Sequence, residues 1–193
     1  MRQAMLDESK CDWILILDGD EIWWENSIKK ITREIKIKST KVDGIVVPMV
    51  VPVGDIYHLQ EEKAGKYLIH GRLGHLSLKA INKKISGLHV ERPYGEEGYF
   101  DQDNRLVQER DKITFIKAPF LHVTHLKRSS QVRKFDKYKY ELGNKVSSDF
   151  SFPEVLFGPF PRDVKSPWIK ISGIDYFKAR ALTPLRRAKR RLL

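Results

Sequence analysis

Apolar residues along this chain fall into two kinds of run, continuous and periodic. Residues 13–17, Trp-Ile-Leu-Ile-Leu, are unbroken between Asp12 and Asp18, the length and pattern of a strand covered on both faces. A central strand of a parallel sheet is predicted there, preceded by the last turns of a helix at 2–10. Ile28, Ile31 and Ile35 then recur at helical spacing with lysines between them, which predicts an amphipathic helix over 25–37 lying on the sheet. A second strand is predicted over 43–51, and 66–82 alternate loosely enough for one or two more. Residues 86–112 hold Gly, Pro and many acidic residues with little periodicity, and predict a long loop of the kind that carries function. Strand character returns at 113–124. Ser129 or Ser130 can cap a further helix striped by Val132, Phe135, Tyr138 and Leu142 and closed by Gly143. The whole predicts an α/β fold, a mixed sheet flanked by helices over 1–145, followed by a C-terminal extension over 146–193 with a basic helical tail.

Composition narrows this picture. The chain has 193 residues and is 41% hydrophobic, enough for one well-packed domain and short for two. Its net charge of +11 favours anionic partners such as nucleic acid, a phosphate-bearing substrate or an acidic lipid surface. The single cysteine, Cys11, excludes an intrachain disulfide and a thiolate metal cluster, which points to a reducing compartment and to a small buried side chain. The first ten residues lack the apolar core of a secretory leader. The longest apolar run, 44–54, contains Pro48 and Pro52 and falls far short of the roughly 20 residues of a membrane span. A cytoplasmic protein is expected.

The candidate chemistry sits where the first apolar run ends. Asp18 and Asp20, at i and i+2 with Gly19 between them and Glu21 after, would stand in the crevice beyond the strand's C-terminal end, where open α/β sheets place ligands. Two hard oxygen donors there suit Mg²⁺ or Mn²⁺, which keep several waters and accept phosphate oxygens. Asp and Gly also dominate ordinary turns, so a purely conformational role stays open from these residues alone.

The stretch "CDWILILDGDEIW" at 11–23 resembles the nucleotide-sugar motif of family 2 glycosyltransferases with the GT-A fold, and Arg2 matches an arginine that often opens the preceding helix. "LHVERP" at 88–93 resembles a stretch on the acceptor side of those enzymes, and "FLHVTHLKRSSQVRKFDKYKYE" at 120–141 resembles their late strand histidine and following helix, with Lys134 and Tyr138 in the Lys-x-x-x-Tyr pattern. The resemblance implies a partial GT-A-like, Rossmann-like sheet that covers the metal and acceptor half. A nucleotide-binding half would then be encoded ahead of it or separately. It further implies inverting transfer from a nucleotide-sugar donor to a glycan or lipid-linked acceptor, with a Mn²⁺ or Mg²⁺ cofactor. Asp18, Asp20 and Glu21 would bind the donor, and Asp18, Asp20 and His122 the metal. Residues three apart on a strand face opposite ways, so His122 and His125 are not expected to chelate one metal together unless the strand ends between them, and it is the resemblance that implies His122 rather than His125 at the metal or the leaving diphosphate. Glu91 would be the acceptor-side base, with Glu96, Glu97 and Asp101 as rivals. Trp13, Trp23 and Trp24 are candidates for stacking on sugar or base, although core packing is the commoner use of such residues.

Two other classes compete. A basic nucleic-acid-binding module would use the charge and "RRAKRR" at 186–191, but the basic residues concentrate in the tail, and strand-borne acids repel phosphates. Nucleic acid is therefore not the favoured partner. A metal-dependent phosphoesterase would need more carboxylates or histidines at metal spacing. The tail suggests its own partner. Ile169, Ile171, Ile174, Phe177, Ala181 and Leu182 offer apolar groups across a segment whose final 18 residues hold seven Lys or Arg and no acid, the composition of a helix lying on an anionic membrane surface. That would place the protein peripherally on the inner face of the membrane. Pro184 predicts a break before the basic cluster, and a solvated tail is the plain alternative.

Overall fold

The computed structural model describes residues 1–38, 40–93, 96–126, 141–162, 166–171 and 173–192. The helix predicted over 129–142, with Lys134 and Tyr138, lies almost wholly outside them. Helix α1 (Arg2–Glu8) leads into β1 (Trp13–Leu15), β2 (Glu21–Trp23) and helix α2 (Glu25–Lys38). There follow β3 (Gly44–Val50), β4 (His58–Leu59), β5 (Tyr67–Ile69), β6 (Arg72–Gly74), β7 (Leu76–Asn82), β8 (His89–Glu91), β9 (Gly98–Phe100), β10 (Ile113–Phe115), β11 (Phe120–His122) and β12 (Asn144–Lys145). Helix α3 (Gly173–Leu192) completes the chain's described part. The result is α/β, with a mixed six-stranded sheet in the order β1-β7-β3-β11-β2 and β10 beside β3.

β3 organises the sheet because it is apolar on both faces. Ile45 and Val47 join Ile31 of α2, Ala80, Ala118 and Phe120 in the main core. Val46, pointing the other way, packs with Ile69 and Leu76, as the two-residue period of a strand requires. The α2 stripe is as expected, with Ile31 1% exposed and Ile35 packed on the same core. β7 runs antiparallel to β3, whereas β10 and β11 run parallel to it.

Four expectations are corrected. First, the Trp13–Leu17 run forms not a central parallel strand but a short end strand, antiparallel to β7. β7 is itself a long apolar strand that satisfies one edge of β1, and after Ile16 the chain turns out of the sheet, leaving Leu17 58% exposed. Second, the strand predicted over 113–124 is split. β10 pairs with Gly44–Val46 and β11 with Met49 and Val50, and the ladder breaks opposite Pro48, which has no N–H to donate. Third, Cys11 is exposed. Fourth, α3 continues through Pro184. The helix is anchored to the body on both sides of the proline: Thr183 Oγ1 accepts the Leu142 N–H at 2.8 Å and donates to Ala179 O at 2.6 Å, while Arg187 reaches Asn144 at 2.7 Å and Arg190 grips Glu141 at 2.6 Å and Glu61 at 3.2 Å. Those contacts hold the axis where a free helix would give way.

The extension before α3 lies against the body through aromatic contacts. Trp168, Phe152 and Tyr57 meet edge-on or tilted, and the Ile171 N–H donates to Asp55 at 2.9 Å. Among the described residues no helix is long and apolar enough to cross a membrane.

Candidate functional site

The sheet itself assembles the acidic turn. Ile16 still donates to Lys79 O at 2.8 Å, the chain reverses, and the Glu21 N–H bonds Asp18 O at 3.1 Å. β2 then pairs antiparallel with β11, setting Glu21 opposite His122, and the Val123 N–H donates to Asp20 O at 2.9 Å. This register brings His122 Nε2 within 3.5 Å of Asp20 Oδ2, both side chains roughly a quarter exposed. Strand β11 ends at His122, so His125 falls in the helical turn that follows.

Asp18 belongs to a different cluster. Its carboxylate accepts from Arg2 of α1 at 2.7 Å and from Lys79 Nζ of β7 at 3.3 Å. Lys79 is 2% exposed and forms a close ion pair with Glu21, itself buried, under the face of Phe120. Burial pushes the Glu21 carboxyl above its ordinary range and the Asp18 charge adds to this, against the opposing pull of Lys79. Arg2 also faces Glu97 at 3.6 Å. Beside it, burial raises the Tyr99 phenol, which stays protonated and able to donate. Two cations, Arg2 and Lys79, thus stand among three carboxylates: Asp18, Glu21 and Glu97.

The remaining candidates are dispersed. Glu91 on β8 is 61% exposed, 4.0 Å from His89, and Glu96 is exposed on the same loop. Asp101 is structural. Desolvation would raise its carboxyl, but the Arg105 and Asp103 N–H groups and the Arg110 guanidinium outweigh that and hold it low. Arg110 bridges it to Asp43 and so ties the loop to the start of β3. Trp23 stacks on Phe120 at 4.7 Å between ring centres, Trp24 donates to Ser151 O at 2.9 Å, and Trp13 packs on the main core. All three tryptophans serve packing here.

The chain matches no protein-family model and no curated protein. The case for a metal therefore rests on donor chemistry. Among the described residues no group of three or more His, Cys, Asp or Glu is arranged to hold an ion, which does not fit a closed structural site. Asp20 with His122 does fit an ion that keeps several waters and takes phosphate oxygens from a substrate, since such an ion asks for only one or two protein carboxylates. A Cβ at Gly19 would meet no atom within 4 Å, and its backbone is not in the left-handed region, so the chain's own fold does not demand glycine there.

Lys79 was not a sequence candidate. The signal was present, a lysine between Leu78 and Ala80 in an apolar strand, but alternation alone reads it as pointing to solvent.

Proposed function

We propose that the acidic turn holds the diphosphate end of a nucleotide-sugar in a glycosyl-transfer reaction, with Mn²⁺ or Mg²⁺ as cofactor. One observation carries this reading: the β2–β11 register joins Asp20 to His122 beside the Arg2–Asp18–Lys79 cluster. The bound ion would neutralise charge on the diphosphate. Asp20 and His122 hold that ion. Arg2, two-pronged and permanently charged, suits phosphate oxygens when Asp18 yields one of its N–H groups. Lys79, buried, fixes the direction of both Asp18 and Glu21. In the reaction an acceptor hydroxyl oxygen bonds the anomeric carbon, that carbon's bond to the phosphate oxygen breaks, and the hydroxyl proton passes to a carboxylate. Glu91, exposed at the end of β8, is the carboxylate we assign to this role on the resemblance, whereas Glu97 is engaged by Arg2. The acceptor is a glycan or a lipid-linked saccharide.

The nucleic-acid reading loses ground, because Arg187 and Arg190 of the basic cluster are turned inward onto Asn144, Glu141 and Glu61.

The test is Mn²⁺ titration followed by the paramagnetic signal of the free ion, with and without a nucleoside diphosphate. Asp20→Asn and His122→Ala should each weaken diphosphate-dependent Mn²⁺ binding by about tenfold or more. Equal binding by both variants and the parent would overturn the assignment.

A further inference from the structure

Helix α3 presents an apolar stripe away from the protein that bears it. The residues that seat it, Ala179, Thr183, Arg187 and Arg190, recur on one side. On the opposite side Ile174, Phe177 and Leu185 are 71%, 70% and 68% exposed, and at helical spacing Ala181 and Ala188 complete the stripe. The usual arrangement of a surface helix is the reverse, apolar inward and polar outward. More than half of the large exposed apolar side chains among the described residues lie between Val155 and Leu185 in the sequence.

Charge decides what covers it. Exposed Lys178, Arg180 and Lys189 flank the stripe. Along one side, a cleft of about 360 Å³ between α3 and β12 is lined by Arg180, Arg187, Lys145 and His58, with no carboxylate among its lining residues. From Tyr176 onward the sequence contains no acid at all. A second copy of the helix would bring cation rows together, and a nucleic acid would meet the cations but leave the stripe in water. An anionic bilayer satisfies both, taking the apolar residues at the acyl boundary and the cations on lipid phosphates.

We propose that α3 lies flat on an anionic lipid surface, stripe inward to the bilayer, with the exposed cations that flank the stripe on lipid phosphates. At 20 residues the helix would extend about 30 Å along the surface. The contact is independent of the chemistry at the acidic turn and holds even if that reading fails.

The test is co-sedimentation of the full chain with vesicles of phosphatidylcholine alone or mixed with phosphatidylglycerol. Binding is expected only to the mixed vesicles, and it should fall steeply near 1 M salt, where the screening length is about 3 Å. Each basic residue near such a surface contributes about fivefold, so the paired change Arg180→Glu, Lys189→Glu should weaken binding by at least tenfold. Phe177→Asp with Leu185→Asp should abolish it. As these side chains face solvent, circular dichroism should show the fold kept. Should that pair unfold the chain, a Leu185→Cys, Cys11→Ser protein carrying an environment-sensitive dye gives a second reading, a blue shift on mixed vesicles. No binding by the parent chain, full binding by the Asp pair, or no dye shift would each overturn the proposal. So would concentration-dependent dimerisation that Phe177→Asp and Leu185→Asp remove, or RNA binding that competes with vesicles while the stripe variants leave it intact.

Discussion

The acidic turn and α3 both crowd charged residues, and they treat the charge in opposite ways. At the turn, Lys79 and Glu21 are almost wholly buried and close on each other, and Arg2 closes on Asp18. A charge removed from water costs several kcal/mol unless its partner is in place, so the fold must supply that partner itself. Along α3 the seated Arg187 and Arg190 find partners inside, whereas Arg180 and Lys189 are exposed beside exposed apolar side chains. Hydrated charge carries no such obligation. Burial thus separates charge that organises a site from charge that remains available to another molecule.

The widest separation between the regions should come from Lys79→Met. Removing one member of a buried ion pair costs about 3–5 kcal/mol, measurable by urea unfolding. The loss should also depend on pH. With Lys79 gone, the Glu21 carboxyl, already raised by burial, sits higher still, and a group whose folded pKa exceeds its unfolded one loses stability as pH rises through that interval. The variant should be weaker near pH 8 than near pH 5, and adding Glu21→Gln should flatten the difference. A pH-independent loss would show that Glu21 and Lys79 are not coupled.

Pro184→Ala should act in the other direction. An interior proline costs a helix about 3 kcal/mol, so restoring the N–H should raise stability by about 1–3 kcal/mol, read from thermal melts. No gain would mean that the anchors at Thr183 and Arg190 already hold the helix fully formed. Asp101 should reveal itself through pH, its loss costing stability at neutral pH and less in acid. Its carboxyl is held low in the folded state, so its contribution is complete above the ordinary carboxylate range and is lost as pH falls below about 4. Asp101→Asn should remove that part of the acid transition while leaving its neutral limb sloped as before. The smallest effect belongs to the outward stripe. Leu185→Ser should change stability by less than about 0.5 kcal/mol, and a larger loss would mean that the stripe is covered by the protein's own chain.

Periodicity made several elements legible. The isoleucines of α2 and the two-sided apolar run of β3 appear in the sequence much as they appear in space, because burial alone dictates those patterns. The acidic turn was visible for the same reason, as polar residues ending an apolar run. What escaped depends on partners distant in sequence. Nothing near Lys79 announces Glu21, and nothing near Pro48 announces the break between β10 and β11. Asp20 and His122 were grouped in the sequence only through the resemblance, because their approach follows from register, which pattern does not determine once both strands are short and half-buried. Pro184 was read by its local penalty, and tertiary anchoring overrode it.

The pairing of β2 with β11 also sets an order of assembly. β1 can meet β7 as soon as residue 82 is made, but β2 has to wait for residues 120–122. During synthesis the acidic turn would therefore stay open at its far end while the rest of the sheet forms. Contacts between such distant segments are the slow step in closing a fold. Asp20 and His122 meet only then, so a nascent chain stalled before residue 120 would carry a formed β1–β7–β3 sheet and no candidate site, and a cation would meet the pair only after most of the described sheet had been translated.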